Sequence, residues 1–280
     1  MKTKFAVFIL SHGRPNSVWT YKLLRNSGYT GKIYIILDDT DKKIEEYKKN
    51  FDNIIIFSKD DIAKRFDSGD NFNDKAAVVY ARNASFEIAK KLDLDYFMEY
   101  DDDYKTGHFR LYKYGTPKPI KNLDNLFSAL IEFAEQSQAH DLSIAQGGDF
   151  IGGSGNDNAT NPTLKRKCMN THILSTKRPF NFIGKLNEDV QTPIFLGSIG
   201  YRFFTVPLLS IEQAATQTNE GGLTDIYLDR GTYIKSFYSV MYSPSSVKVS
   251  LMGESHKRLH HRVNWNCSVP KILSPEFKKS

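Results

Sequence analysis

Short apolar stretches alternate with longer amphipathic ones through the first hundred residues of the chain. The apolar stretches have the length of β-strands and occupy residues 4–11, 32–37, 53–58 and 96–100. Between them, apolar residues recur at helical spacing, most clearly over residues 75–91. Strands that alternate with helices in this way predict an α/β fold, with a Rossmann-type, mostly parallel sheet flanked by helices on both faces.

The pattern changes after residue 104. It predicts strands at 109–114 and 142–146, a helix at 123–138, and short strands with one acidic turn over 163–210. Two stretches without periodicity, residues 60–73 and 147–162, are rich in Asp, Asn and Gly. Both therefore predict loops.

Nothing in the sequence divides the chain into separate domains. There is no linker, internal repeat or low-complexity tract, and 280 residues are within the range of one α/β domain. We therefore expect one domain over residues 1–280, with a parallel, nucleotide-binding front half (1–104) and a mixed β, substrate-binding back half (105–280). In such sheets, ligands bind beyond the carboxyl ends of the strands.

Unusual polar residues follow three of the four predicted strands of the front half. They are Ser11-His12-Gly13-Arg14, Asp38-Asp39 and Asp101-Asp102-Asp103. Because the carboxyl ends of parallel strands share one edge, we expect these segments to converge. Three consecutive carboxylates repel one another, and a divalent cation removes that cost. Asp101 and Asp103 therefore predict a Mg²⁺ or Mn²⁺ site, although a solvated acidic turn fits the triplet equally well.

Four further residues are candidates for chemistry, each with a simpler alternative. A carboxylate at Asp38 can accept hydrogen bonds from a ribose or a base edge, or it can cap the next helix. Arg82 can pair with the acidic triplet or with a phosphate, or it can lie on a helix surface. Glu188 or Asp189 can act as a general base, or the two can form a surface turn.

Three of the seven histidines lie in one basic segment near the end of the chain, at His256, His260 and His261. His256 and His260 have the spacing of ligands on a helix, but Lys257 stands where a zinc protease needs Glu. Histidine binds Mn²⁺-like ions, and Lys257 and Arg258 suit a diphosphate. The segment therefore predicts a tail that folds over a metal-bound phosphate group.

Positive charge is concentrated in the second half of the chain. The net charge is +6, and residues 158–187 contain six basic residues and no acid. Residues 248–280 contain seven basic and two acidic residues, a net of +5. Such a distribution is compatible with a polyanionic partner such as a nucleic acid, and equally with a solvated basic face.

The overall composition is that of a soluble globular protein, with 40% hydrophobic and 25% charged residues. The two cysteines, Cys168 and Cys267, provide neither a disulfide framework nor a zinc pattern, which favours a reducing, cytoplasmic compartment. The first apolar stretch is too short for a signal sequence or a membrane span, so we expect no membrane association.

Several of these segments together resemble the GT-A glycosyltransferases and, among them, the phage TET-associated glycosyltransferases. The turn after the first strand and the pairing of an Ala-Arg-Asn segment with a D-x-D segment carry the general resemblance. The same turn and the tail carry the narrower one. The segments are residues 7–15, 81–83, 96–103, 187–189, 260–265 and 269–273.

The resemblance implies a GT-A-like fold, a UDP-sugar donor and a Mn²⁺ or Mg²⁺ cofactor. It implies a hexosyl- or pentosyltransferase that acts on 5-hydroxymethylpyrimidines, foremost hydroxymethylcytosine, in phage DNA inside the host cytoplasm. Asp38 would contact the nucleoside, and Glu188 or Asp189 would be the base if the enzyme inverts. The expected donor-binding residues are Ser11, His12, Arg14, Asp38, Arg82, Asp102, Lys257 and Arg258. The expected metal-binding residues are Asp101, Asp103, His256, His260 and His261.

Other functions are compatible with the same residues. A metal-dependent nuclease or phosphoesterase would also combine Asp clusters, histidines and a basic surface. A nucleic-acid-binding module with a degenerate site would bind DNA in a salt-dependent way without catalysis. A glycosyltransferase of this kind could also act on a glycan or a protein instead of DNA.

Overall fold

The structure, a computed structural model, describes most of the chain. It covers residues 3–69, 75–104, 109–113, 116–146, 161–169, 171–211, 231, 233–253 and 257–269. Most of the predicted loop at 147–162 and the candidate ligand His256 lie outside these ranges. Within them, no helix has the length and apolar character needed to cross a membrane.

The front half contains four parallel strands, as the alternation of apolar stretches predicts. Its elements are β1 (Phe5–Leu10), α1 (Trp19–Asn26), β2 (Ile33–Asp38), α2 (Ile44–Asn50), β3 (Ile54–Phe57), α3 (Lys59–Ala63), α4 (Val79–Lys91) and β4 (Tyr96–Asp101). β1 lies between β2 and β4, and β3 flanks β2, with every pairing parallel. Parallel strands covered on both faces need nearly continuous apolar sequences, which explains the runs of Val, Ile, Leu and Phe.

The back half adds five strands to the same sheet. Its elements are β5 (Arg110–Lys113), β6 (Thr116–Pro119), α5 (Leu123–Gln136), β7 (Asp141–Gln146), β8 (Thr171–Ser175), α6 (Glu188–Ser198), β9 (Phe203–Ile211), α7 (Ile234–Tyr242), β10 (Val247–Met252) and β11 (Arg258–Val263). The strand order is β3-β2-β1-β4-β8-β7-β9-β5-β6. β8 pairs antiparallel with β4, whereas β7 and β9 are parallel. The predicted mixed α/β sheet is therefore confirmed.

Each face of the sheet is covered by its own hydrophobic core. Val7 and Ile9 of β1 point to the face that α1 and α5 cover, and Phe8 and Leu10 point to the face that α4 covers. This alternation continues along β4, where Tyr100 lies in the α5-side core and Glu99 is buried on the opposite side. The strands β10 and β11 form a separate antiparallel hairpin next to α7.

Two predictions of local structure are wrong. The expected loop at 60–73 begins inside helix α3, because the Ser58 side chain accepts a hydrogen bond from the Asp61 N–H and Asp60 and Asp61 occupy the first turn. The expected short strands at 163–210 include helix α6 and a nine-residue strand, β9. Glu188 and Asp189 occupy the first turn of α6, where negative charge is favourable.

Candidate active site

The polar segments after β1 and β4 lie side by side, because β1 and β4 are paired up to Leu10 and Asp101. The middle carboxylate of the triplet, Asp102, is fully buried between them. It accepts a hydrogen bond from Ser11 and forms an ion pair with Arg14, with 2.8 Å between Asp102 Oδ1 and Arg14 Nη2. Burial raises the pKa of Asp102 to about 7, against the opposing effects of Arg14 and Ser11. Asp102 therefore holds the turn after β1 in place.

The turn after β1 is fixed on its other side by helix α2 and the segment before it. The Tyr47 hydroxyl lies 2.7 Å from Ser11 Oγ and accepts a hydrogen bond of 2.8 Å from the Arg14 N–H. Gly13 has φ of +71° and donates its N–H to Asp41 Oδ2 at 2.7 Å. A residue other than glycine would be strained in this conformation, so the sequence of the turn is explained by its geometry.

Asp38, at the end of β2, is the centre of a second group of charges. Its Oδ2 atom lies 2.8 Å from His12 Nδ1 and 3.0 Å from Lys59 Nζ, and Thr40 donates to its Oδ1 atom. Burial acts to raise the pKa of Asp38, but the hydrogen bonds from His12, Thr40 and Lys59 outweigh it and hold the pKa below its usual value. Asp38 is therefore an ionised, oriented carboxylate. We call the residues 11–14, 38 and 101–103 the strand-end cluster.

Arg82 connects the strand-end cluster to the back half of the chain. This side chain, only 2% exposed, lies on α4 with Nη1 at 2.6 Å from Glu188 Oε1 and Nη2 at 3.6 Å from Asp101 Oδ1. Of the alternatives for Arg82, the structure supports a pairing with the acidic triplet rather than a place on a helix surface. It also places Glu188, 106 residues away, at the same edge of the sheet.

The two acids at the start of α6 have different surroundings. Glu188 is buried, and burial raises its pKa to about 7 although Arg82 opposes the shift. Asp189 is more exposed, with 19% of its side chain accessible, and its Oδ2 atom lies 3.9 Å from Lys167 Nζ. Asn187, before them, adopts a left-handed conformation with φ of +62°. Either acid can accept a proton at this position. The Glu188 carboxylate is buried, whereas the Asp189 carboxylate is partly exposed to solvent.

The hairpin of β10 and β11 brings His261, from the basic segment near the end of the chain, to the start of α6. His261 Nδ1 lies 3.4 Å from Asn187 Nδ2, and the rings of His260 and His261 are 4.2 Å apart. Both histidines lie on strand β11, so the helical ligand spacing expected for His260 is wrong. The side chain of Lys257 is exposed. Burial, and after it the neighbouring His260, lowers the pKa of His261 to about 4.

Two lysines that the sequence does not single out as site residues join this group. Lys235, on α7, and Lys167 both act electrostatically on His260 and His261 and on each other, and Arg258 acts on His260 and Lys235. We call Lys167, Lys235, Arg258, His260 and His261 the tail cluster. Of these, Lys167, Lys235 and His261 also interact electrostatically with Asp189. No local motif identifies Lys235 or Lys59 in the sequence, because each reaches its carboxylate through tertiary packing.

The carboxylates of the strand-end cluster could hold a divalent cation. Within the described residues, no group of three or more His, Cys, Asp or Glu side chains is arranged to bind a metal ion, so His260 and His261 do not join Asp101 and Asp103 in such a group. Two carboxylates are nevertheless enough for Mg²⁺ or Mn²⁺, which keep waters and take further ligands from substrate phosphates. Burial raises the pKa of Asp101, and a nearby cation would offset that cost.

A mixed α/β sheet with an acidic turn after a central strand is the architecture of the GT-A glycosyltransferases. The chain belongs to the TET-associated glycosyltransferase family, whose family model matches residues 5–222, so it is a glycosyltransferase. The match includes the strand-end cluster and α6 and ends before α7 and the hairpin. The resemblance of the tail to this family therefore lies outside the matched region.

Solved structures with similar folds have low sequence identity to the chain. TarS of S. aureus is 12% identical with a TM-score of 0.44, and the alignment covers 84% of this chain and 39% of TarS. Glucosyl-3-phosphoglycerate synthase of Mycobacterium tuberculosis, in complex with Mn²⁺, UDP and phosphoglyceric acid, is 9% identical with a TM-score of 0.48, covering 94% of this chain and 87% of that one. The chain thus spans well under half the length of TarS. No curated protein matches it significantly.

Proposed function

We propose that the chain transfers a sugar from a UDP-sugar donor to the hydroxymethyl group of a 5-hydroxymethylpyrimidine in DNA, using Mn²⁺ or Mg²⁺. The observation that carries the proposal is the position of Arg82, which joins Asp101 at the end of β4 to Glu188 at the start of α6. A carboxylate suited to a metal–diphosphate group thereby lies close to a carboxylate suited to accept a proton. A metal-dependent glycosyl transfer with inversion uses both groups.

In this proposal the strand-end cluster binds the donor. Asp38, oriented by His12 and Lys59, accepts hydrogen bonds from the nucleoside. Arg14, held by Asp102, provides positive charge for the diphosphate. Asp101 and Asp103 hold the metal, which supplies Lewis-acid stabilisation of the departing diphosphate when it is bound.

Glu188 or Asp189 accepts the proton of the acceptor hydroxyl. A pKa of about 7 suits Glu188 to this task at neutral pH, because a base is most effective when its pKa is close to the working pH. Its ion pair with Arg82 is formed by one carboxylate oxygen, Oε1. Asp189 is more accessible and is the alternative base. If the enzyme retains the anomeric configuration, neither acid has this role.

The tail cluster neutralises the leaving group. Lys167, Lys235 and Arg258 are close enough to influence the same histidines, so their charges act on one region beside Asp189. Lys257 precedes β11 and is exposed, so it can extend this positive region. Preorganised positive charge of this kind stabilises a developing diphosphate anion without further reorganisation. His260 and His261 act here through hydrogen bonding to phosphate oxygens rather than as an assembled metal group.

Exposed cations on the hairpin support a DNA acceptor. Not every basic residue of 158–187 does so, because some of them are part of the structural core. Arg178 is tied to Tyr96 Oη at 2.7 Å, and Lys185 is buried, so these two are part of the structural core. On the hairpin, Lys248 and Arg262 are cross-strand neighbours and both are exposed. Lysine and arginine contacts to phosphates supply most of the sequence-independent affinity for DNA. Action on DNA also implies that the enzyme works in the cytoplasm.

The direct test is nucleoside mass spectrometry. Hydroxymethylated and unmodified DNA would each be incubated with the enzyme, Mn²⁺ and a panel of UDP-sugars at low salt. We expect a hexose or pentose mass shift on the hydroxymethylated nucleoside alone, since an unmodified base has no comparable hydroxyl. Labelling of a glycan or a protein but not of DNA would contradict the acceptor. Degradation of the DNA with metal alone would instead support a nuclease.

A further inference from the structure

Phe182 occupies a buried position directly behind Arg82, and the proposed reaction gives it no role. The Arg82 guanidinium carbon lies 5.6 Å from the centroid of the Phe182 ring. This distance is within the range of a cation–π contact, which is strongest where water is excluded. Phe182 is 1% exposed and Arg82 is 2% exposed, so water is excluded on both sides of the contact.

The backbone of Phe182 is held by the residue that follows Arg82 on the same helix. The Asn83 side chain donates to the Phe182 carbonyl at 3.1 Å and accepts from the Phe182 N–H at 2.7 Å. Asn83 is a poor helix former, and these two bonds explain its place in the middle of α4. One turn of α4 therefore presents Arg82 and also fixes the ring against which Arg82 rests.

The ring of Phe182 is supported on a second side by a buried histidine. The rings of His172 and Phe182 are 5.0 Å apart and nearly perpendicular. His172, on β8, is itself fixed by Asp141 of β7, with 2.7 Å between His172 Nδ1 and Asp141 Oδ2. Both members of this pair are fully buried. A continuous series of contacts thus leads from the centre of the sheet through Phe182 to Arg82.

Hydrogen bonding alone does not fix the guanidinium of Arg82. Its two terminal nitrogens face different carboxylates, Glu188 at 2.6 Å and Asp101 at 3.6 Å. In the described part of the chain, Arg82 Nε has no hydrogen-bond partner. Rotation of the guanidinium would shorten one of these two ion pairs and lengthen the other. A further contact is therefore needed to hold Arg82 where it pairs with both carboxylates.

We propose that Phe182 is a positioning residue, whose ring holds the Arg82 guanidinium where it pairs with both Asp101 and Glu188. The inference rests on the proposed function, because those two carboxylates belong to the donor side and the acceptor side of the reaction. Loss of the ring lets Arg82 move toward one carboxylate and changes the separation of the two groups. Small misplacements of reacting groups reduce turnover strongly without preventing substrate binding.

The test compares Phe182→Leu with Phe180→Leu. Phe180 is also buried in the α4-side core, and its ring centroid lies 4.9 Å from that of Phe182. We expect both variants to lose similar thermal stability. Phe182→Leu should lower kcat about 10- to 100-fold with KM for the UDP-sugar changed less than about threefold, whereas Phe180→Leu should keep kcat within about threefold. Equal kcat values in the two variants would overturn the proposal.

Two further measurements keep the proposal independent of folding and of the proposed function. If Phe182→Leu does not fold, Phe182→Met removes the ring with less loss of volume. In an Arg82→Lys background, replacement of Phe182 should lower kcat much less than it does in the wild type. Equal reductions of kcat in the two backgrounds would show that Phe182 does not act through Arg82.

A crystal structure of the Phe182 variant should show Arg82 displaced from Glu188 or Asp101. An unmoved Arg82 would overturn the proposal even if no acceptor is found, whereas failure of the wild type to transfer any sugar would contradict only the proposed function.

Discussion

The strand-end cluster and the tail cluster balance their charges in different ways. In the strand-end cluster, Asp102 pairs with Arg14, and Asp38 pairs with His12 and Lys59, at hydrogen-bond distances. Among the residues that the structure describes, the three cations and two histidines of the tail cluster lie near one carboxylate, Asp189, whose Oδ2 atom is 3.9 Å from Lys167 Nζ. In the first arrangement Asp38 and Asp102 are paired within the protein, and in the second the described cations outnumber the described carboxylates.

In the proposed function, this difference corresponds to two roles. The pairing of Asp38 and Asp102 holds the turns of the strand-end cluster in place, which suits a site that orients a nucleoside. An excess of positive charge is favourable only when an anion is present, which suits a group that binds the leaving diphosphate. The family match also divides the molecule here, because it includes the strand-end cluster and ends before the elements that carry Lys235 and the hairpin.

The largest effect is expected from loss of a metal-binding carboxylate. Asp103→Asn should lower turnover by about 10³-fold or more, because charge on the diphosphate would no longer be stabilised in the transition state. It should also weaken UDP binding in Mn²⁺, measured by calorimetry. Asp52→Asn, an exposed change in the front half, is the control. Equal UDP affinity of the wild type with Mn²⁺ and with excess chelator would contradict the metal site.

The second effect concerns the base. Replacement of the true base, by Glu188→Gln or Asp189→Asn, should lower kcat by about 10²- to 10⁴-fold. If Glu188 is the base, the rate should fall as the pH drops below about 7, because protonation near its raised pKa removes the acceptor of the proton. Glu46→Gln, on the exposed side of α2, is the control. Full activity in both amide variants would exclude both acids and favour a retaining mechanism.

The third effect concerns the tail cluster. Single alanine replacements of Arg258, His261 or Lys235 should lower kcat by about 10- to 10³-fold, with the loss greatest for the side chain nearest the leaving group. Lys64→Ala, on the exposed surface after α3, removes an equal charge outside the cluster and should have no effect. Wild-type turnover in a chain that ends before Gly253 would show that the hairpin is unnecessary.

The smallest effect is expected for DNA affinity. Replacing both Lys248 and Arg262 by alanine should reduce the slope of log affinity against log salt by about 2, one for each lost phosphate contact. Lys42 and Lys43 are exposed on the front half, and their double replacement removes the same charge elsewhere. An equal reduction in the two double variants would mean that DNA does not bind preferentially at the hairpin.

The sequence predicts the front half well because the features that define it lie close together in sequence. Apolar strand stretches and the polar residues after them are adjacent in sequence, so the convergence of residues 11–14, 38 and 101–103 follows from parallel pairing alone. The partnership of Arg82 with Glu188 spans 106 residues, and no periodicity encodes it. Lys59 and Lys235 reach the site through the packing of α3 and α7, and their neighbours in sequence give no indication of it. The helical spacing expected for His260 is wrong because closely spaced histidines suit a helix as well as a strand.

The most direct test of this account is the position of Mn²⁺ in a crystal of the enzyme with UDP, found by anomalous scattering at the manganese edge. We expect one strong peak, from an ion bound by Asp101, Asp103 and the diphosphate, with the uridine beside Asp38. A peak at His260 and His261 without either carboxylate, or UDP bound away from the ends of β1 and β4, would contradict it.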